Sequence, residues 1–386
     1  MAKKERQKQF NKIGLRREIT QHILSCGCIT NKDVGLMAES GERRSTVDIY
    51  LKRMKEEGFL KEVKANIYYR SYRIFKLADF KSNEEILKDA FGENTVSYYK
   101  LQKEYIDNLL TDWNANNSNG RNKLLRAVRR SHTAMLMKNA YIRTMADDFD
   151  KTSILNQTEK LDINGSYFFF LDELKNSFSN ILNSRAVGML VTPDANYIVY
   201  NQFQNRNQIS DVEMRTKELG LSVNDYLRSD LSKVKNINAA ILISEEKPIL
   251  KMLTETEEEQ EQRKTRVFEL PEPIFDKLYY VPSSIDGCKV LRQMSKENWE
   301  EDLIKNIGQM YGPKKKTWLV HHATNGDNCY VYYFCLSELN SFKRFIVQTN
   351  EYLDKLQFEV VCFKYQEEFL KKVLDERIKI TVIEDI

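Results

Sequence analysis

Around Gly165 the spacing of apolar residues changes period, and that change constrains the architecture more than any other feature of this sequence. Before it, apolar residues recur every three or four positions, as in amphipathic helices; after it, short apolar runs alternate with helical stretches. One helical bundle or one β-sandwich cannot satisfy both patterns. The expectation is an α+β multidomain chain whose carboxy-terminal half is an α/β domain with a mixed sheet. Its expected strands are Tyr167–Leu171, Ala186–Thr192, Tyr197–Asn201, Ala239–Ser244, Lys277–Pro282, Thr317–His322, Tyr330–Cys335, Phe358–Phe363 and Lys379–Ile383. Helices fit between them at Asp172–Leu182, Asp211–Leu219, Lys247–Leu253, Cys288–Met294, Glu297–Met310, Glu338–Lys355 and Glu367–Asp375. A length of 386 residues allows two or three domains, with expected divisions at 1–80, 81–148 and 149–386.

The charge is unevenly spread. Met1 to Leu77 holds 18 basic and 9 acidic residues, an excess of nine where the whole chain carries +4. The remainder is therefore acidic, and the basic end is the part to explain. Leu15 to Ser25 reads as a helix closed by Gly27. Thr30-Asn31 can cap a second helix over Lys32 to Ala38. A third runs from Arg43 to Glu57 with Val47, Leu51 and Met54 on its apolar face, and Gly58 ends it. Two short strands, Phe59–Val63 and Tyr69–Phe75, then flank Lys64-Ala65-Asn66 as a hairpin. This order, from Ser40 through Gly58 to Phe75, resembles the bacterial winged-helix family. The resemblance implies that the third helix enters the major groove and the hairpin reaches the backbone or minor groove.

The chemistry of these residues fits that role. Arg43, Arg44, Ser45 and Thr46 at a helix start can donate to phosphate, and an arginine there can reach a guanine edge. Lys52 extends the same helix, and Lys61, Lys64, Arg70 and Arg73 would supply phosphate contacts from the hairpin. A protein-binding winged helix with a merely solvated basic face is the competing expectation.

After a helical stretch from Ser82 to Trp113, Asn114 to Gly120 reads as a linker. The helix from Arg121 to about Arg143 follows, and no acid occurs between Trp113 and Ala146. Arg126, Arg129 and Arg130 on this helix are candidates for a second phosphate-tracking face.

Most catalytic templates are missing. The sequence has no GxGxxG after a strand, no GxxxxGK[ST], no GxSxG and no HExxH. His321-His322, expected on a strand, would face opposite sides and could not chelate one ion. The six cysteines lack CxxC pairing, so neither a zinc site nor a disulfide framework is expected. One nuclease pattern remains: Asp194 followed by Glu213-Met214-Arg215 is similar to the PD-(D/E)xK arrangement, in which acids hold magnesium beside an attacking water. Arg215 stands where that pattern has lysine, and Ser210-x-x-Glu213 has the spacing of a helix capping box. Magnesium enters only under this reading; otherwise no cofactor is expected.

Four phrases carry a wider resemblance: Arg129-Arg130-Ser131-His132, Ser184 to Gly188, Tyr197 to Asn201 with Glu213-Met214-Arg215, and Val361 to Gln366. With the winged helix, they make the chain similar to the replication-relaxation proteins of plasmids and integrative elements. The resemblance implies a mobile-element DNA-binding protein serving plasmid replication control or conjugative transfer. It also implies a restriction-endonuclease-like α/β domain, with or without catalysis.

The expected function is thus sequence-selective binding of double-stranded DNA, more in keeping with a non-enzyme, with a homodimer or protein partner engaged through the carboxy-terminal domain. Alternatives are a metal-dependent nuclease using Asp194 and Glu213, and a transcriptional repressor whose α/β domain senses a ligand or partner. No window approaches eighteen apolar residues and the first sixteen are charged, so neither a spanning helix nor a secretory signal is expected. A soluble cytoplasmic protein without membrane contact follows as an expectation.

Overall fold

The computed structural model describes residues 13–39, 44–67, 70–77, 118–144, 165–171, 174, 185–202, 235, 238–254, 275–326 and 328–384. It is a mixed α+β structure that divides into two compact units: 1–159 with 168–173, and 160–167 with 174–386.

The first unit opens with α1 (Ile13–Cys26), β1 (Ile29–Thr30), α2 (Asn31–Glu39) and α3 (Arg44–Glu56), followed by β2 (Leu60–Ile67) and β3 (Arg70–Leu77). The strand order is β1-β3-β2, all antiparallel, with Ile29 opposite Phe75 and Lys64 opposite Arg73. The hairpin differs from the sequence expectation. Its strands run to Ile67 and from Arg70, so Lys64-Ala65-Asn66 lies within β2 rather than in the turn. The reason is pairing: eight consecutive residues on each strand find register partners, which outweighs the weak turn preference of Ala65-Asn66.

Helix α4 (Ser118–Asn139) packs against α1, α2 and β1. It is part of the first unit, whereas residues 81–117 of the expected connector lie outside the described residues; Ser118 to Gly120, expected in a linker, form its first turn. From Ala127 to Met137 every residue is buried. A helix enclosed on all sides needs a partner for each polar side chain it carries, and α4 carries Ser131, His132 and Thr133 at its centre.

Asp33 supplies much of that partnership. Its carboxylate is fully buried, with Oδ2 accepting from the Thr30 amide at 2.8 Å, the Thr30 hydroxyl at 2.9 Å and the Ser131 hydroxyl at 2.6 Å. His132 Nδ1 approaches Oδ1 at 3.3 Å. Because a carboxylate only accepts, Ser131 donates to Asp33, and its oxygen accepts from His22 Nε2 at 2.9 Å. The Asp33 amide bonds back to the Thr30 hydroxyl at 3.2 Å, completing a reciprocal cap at the start of α2. Beyond α4, β4 (Arg143–Thr144) lies beside β5 (Tyr167–Phe170).

The second unit contains two sheets. The first has β6 (Gly188–Val191), β7 (Asn196–Gln202), β8 (Ala239–Ser244) and β9 (Lys277–Pro282); the second has β10 (Ala323–Thr324), β11 (Cys329–Tyr333), β12 (Gln357–Phe363) and β13 (Lys379–Ile383). Each begins with an antiparallel pair and adds two parallel strands in chain order. Parallel neighbours require crossovers. Helix α5 (Glu246–Thr254) begins the β8–β9 crossover, and α6 (Ile285–Met294) and α7 (Trp299–Gly308) follow β9. Helix α8 (Leu339–Tyr352) carries the chain from β11 to β12, and α9 (Glu367–Lys371) lies between β12 and β13. Glu338 joins the two sheets: it caps α8 through the Asn340 and Ser341 amides at 2.9 and 2.8 Å and accepts from the Leu278 amide of β9 at 3.1 Å.

One expectation changes here. Thr317–His322 is a loop: the Leu319 amide bonds to the Thr317 hydroxyl and the Val320 amide to the Gln348 side chain of α8, and the segment meets β11 at its end, where the His322 amide reaches the Val331 carbonyl at 2.8 Å. The expected helices Asp172–Leu182 and Asp211–Leu219 lie outside the described residues apart from isolated positions.

The Asp33 network has a measurable consequence. Burial holds His22 neutral, lowering its pKa to about 4, with Lys138 adding to the effect and Asp33 opposing it. Unfolded histidine protonates near 6.5. Between about pH 6.5 and 4 the unfolded chain therefore binds the extra proton, so stability falls with pH by up to about 1.4 kcal/mol per unit. Burial alone would raise the Asp33 pKa, but His132, His22 and Ser131 bring it below the usual value, which extends the loss to lower pH. Denaturant titrations should show this decline, and Asp33→Ala should cost about 3 kcal/mol or more at pH 7 by stranding buried donors.

Candidate nucleic-acid interface

Helix α3 divides cleanly into two faces. Val47, Tyr50, Leu51 and Met54 are buried. Arg44, Ser45, Asp48, Ile49, Lys52 and Arg53 are exposed and Thr46 is half-buried. Arg44 begins the helix, where first-turn amides have no intrahelical acceptors. Arg43 lies outside the described residues.

The hairpin distributes its cations on both sides. Lys64 and Arg73 are register partners and share a face with Glu62, whereas Lys61 stands opposite Lys76 on the other face. Arg70 opposes Ile67 at the far end of the hairpin. The Glu62 face is the one beside α3: Lys55 Nζ reaches Glu62 Oε2 at 2.7 Å, and Arg73 Nε reaches Oε1 at 2.7 Å. These two bonds, Arg73 first, pull the Glu62 pKa down to about 2. Arg73 thus spends its charge on Glu62.

Other cations are also engaged. Lys52 pairs with Glu56 at 3.8 Å and Arg53 with Glu57 at 3.2 Å, while Arg16 holds the second Glu57 oxygen at 2.6 Å. Arg44, Lys61 and Lys64 are exposed and make no ion pair among the described residues. Exposed pairs such as Lys52–Glu56 contribute little and exchange readily with phosphate. The arrangement can accept a polyanion along α3, with Arg44 and Lys64 available first.

The cationic face expected on α4 is not assembled. Arg126 is exposed, but Arg129 and Arg130 are only 8% and 6% exposed. The Arg130 guanidinium lies 4.0 Å from the centre of the Phe170 ring. Both arginines turn inward because the helix segment around them is enclosed, and Lys138 pairs with Glu18 at 2.8 Å.

In the second unit, Asp194 occupies the turn between β6 and β7. Its carboxylate accepts from the Thr192 hydroxyl at 3.2 Å and the Asn298 amide at 3.0 Å, and pairs with Lys235 at 3.0 Å. These contacts tie the turn to the start of α7 and account for a buried acid at this position. Glu213 lies outside the described residues, so no pairing of the two acids is described. No group of three or more His, Cys, Asp or Glu poised for a metal occurs among the described residues. Both adjacent histidines accept backbone amides: His321 Nε2 from Lys315 at 3.2 Å and His322 Nδ1 from Tyr333 at 3.0 Å.

A cavity of about 270 Å³ lies at the carboxyl ends of β8 and β9, bordered by Ser244, Glu245, Tyr280, Asp286 and Tyr365. Ser244 is fully buried there, and its hydroxyl has no hydrogen-bond partner among the described residues. No sequence motif pointed to it. Carboxyl ends of parallel strands are where open α/β sheets place ligands, but that position depends on strand order rather than on local sequence.

Comparison with family models, curated proteins and solved structures finds no match to this chain. No described helix is long and apolar enough to cross a membrane.

The clamp on Glu62 makes a prediction. Glu62→Gln releases charge from Arg73 and Lys55, so nucleic-acid affinity should rise several-fold at low salt, equally for specific and random duplexes, and the salt dependence should steepen. Fluorescence anisotropy over a salt series checks this.

Proposed function

We propose that this protein binds duplex DNA through a winged helix formed by α1 to α3 and β1 to β3, with α3 reading the major groove and the β2–β3 hairpin as its wing. The observation carrying this reading is the exposed face of α3, where Arg44, Ser45 and Lys52 lie on the side of the molecule that also carries the hairpin cation Lys64. Arginine at a helix start can bridge a guanine edge, and a lysine on the hairpin adds sequence-independent attraction. The resemblance to replication-relaxation proteins supports service to a mobile element, in replication control or conjugative transfer. A homodimer on a palindromic site, or a partner held by the second unit, completes the proposal.

The Ser244 cavity favours a second reading, a repressor whose α/β unit senses a small ligand. Loss of operator binding on adding that ligand would distinguish it. The nuclease reading rests on Asp194 and Glu213 and would appear as magnesium-dependent cuts removed by Asp194→Ala.

Retention of genome fragments by the full-length protein, with magnesium present, tests the proposal. Enrichment of one intact site beside an origin of replication or transfer is the expected result; retention no better than random would assign the basic face to a protein partner. On the enriched site Arg44→Ala should cost about 1–3 kcal/mol. Lys64→Ala should weaken all sequences alike and reduce the salt slope by about 1.

A further inference from the structure

The second unit carries a cationic, aromatic loop that no part of the proposed reading head uses. Between α7 and β10 the chain runs Gly312-Pro313-Lys314-Lys315-Lys316-Thr317-Trp318, and all but the half-buried Thr317 are exposed. Trp318 is 61% exposed. Lys314 and Lys316 make no ion pair among the described residues. An indole left in water is unusual, because it forfeits the burial that a large ring normally supplies.

The loop is nonetheless firmly held. Gly312 and Thr324 exchange backbone bonds at 2.8 and 3.2 Å, and the Thr324 hydroxyl donates to the Pro313 carbonyl at 3.1 Å. The Lys315 amide donates to His321 Nε2, which leaves Nδ1 to donate to the Leu319 carbonyl at 2.9 Å. Burial, then Lys314 and Lys315, lowers the His321 pKa and favours the neutral ring that this pair of bonds requires. On the other side, the Gln348 side chain of α8 takes the Val320 amide at 2.7 Å and donates to the Trp318 carbonyl at 3.3 Å. Trp318 meets the Tyr352 ring edge-on at 4.8 Å, and the Tyr352 hydroxyl donates to Glu351. The Trp318 backbone is thereby anchored while most of its indole stays in solvent, two residues from the exposed Lys316.

We propose that this loop is a second nucleic-acid contact, specific for single strands: Lys314 and Lys316 track phosphates and Trp318 stacks an unpaired base. Duplex DNA hides its base faces within the stack, so an isolated exposed indole gains from a single strand what a duplex cannot offer. An anionic membrane surface would satisfy the lysines, but this loop is rigid and offers one aromatic ring rather than an apolar face to bury. The inference stands apart from the winged-helix reading, since it uses a different unit and a different form of nucleic acid.

The test uses the full-length protein with a labelled oligo-dT of about twenty nucleotides, longer than a typical single-strand site. Binding should quench tryptophan fluorescence, and in a Trp113→Phe background Trp318→Phe should bind with that quenching reduced, because the remaining Trp299 is buried against Tyr197. Trp318→Ala should weaken oligo-dT binding about tenfold. Lys314→Ala with Lys316→Ala should lower the single-strand salt slope by about 1.4. Arg44→Ala should lose affinity for the enriched duplex yet keep the Trp318-dependent fluorescence quench on oligo-dT, so failure of the duplex reading and failure of this one are separable. Thermal melts confirm that each variant is folded. Absence of oligo-dT binding, unchanged binding in folded Trp318→Ala and lysine variants, or binding only to phosphatidylserine vesicles would overturn the proposal.

Discussion

The first unit depends on one buried carboxylate. Asp33 receives both donors of Thr30, one hydroxyl from the centre of α4 and the approach of His132. An unpaired charge at this depth would be prohibitive, whereas a carboxylate with this many donors fixes the elements that supply them. It sets the start of α2, the rotation of α4 and the placement of His22. The orientation of α4 in turn directs Arg129 and Arg130 inward and leaves Arg126 in water. A local cap at Thr30 and the packing of a helix about a hundred residues later are thus one interaction.

Charge on the α3 side is governed by a similar economy of partners. Glu62, Glu56 and Glu57 each hold cations that would otherwise add to a uniform positive field. Arg44 and Lys64 stand outside these pairs. Such partial neutralisation weakens the general attraction of this face for polyanions and concentrates its unpaired charge at a few positions.

Much of this was legible in sequence, and the exceptions have physical causes. Ala239–Ser244, Lys277–Pro282 and Lys379–Ile383 were expected to the residue, because uninterrupted apolar runs bounded by turn formers leave little choice. Helix α3 was equally plain from its apolar spacing and Gly58. The hairpin turn was misplaced because register is a property of two strands, and the β1 strand went unseen because two residues carry no period. The interior of α4 misled for a different reason: Arg129 and Arg130 read as part of a basic outer face until the enclosure of the helix, with Phe170 against Arg130, is seen. Of the candidate interface, Arg44, Ser45 and Lys52 were found from position in the helix, but the engagement of Arg73 by Glu62 needed the cross-strand register. The Lys314 to Trp318 segment was hidden by its expected assignment, in part, to a strand.

The position of β2 has a separate consequence. It pairs with β3 on one side only, so among the described residues its other edge presents eight residues of open backbone. Edges of this length invite pairing between molecules, and lysines along them are a common defence. Lys61 and Lys64 therefore guard against edge-to-edge association as well as supplying charge. Neutralising both would uncover a sticky strand, so such variants should be kept dilute and checked for soluble aggregates before any change in their binding is assigned to lost phosphate contacts.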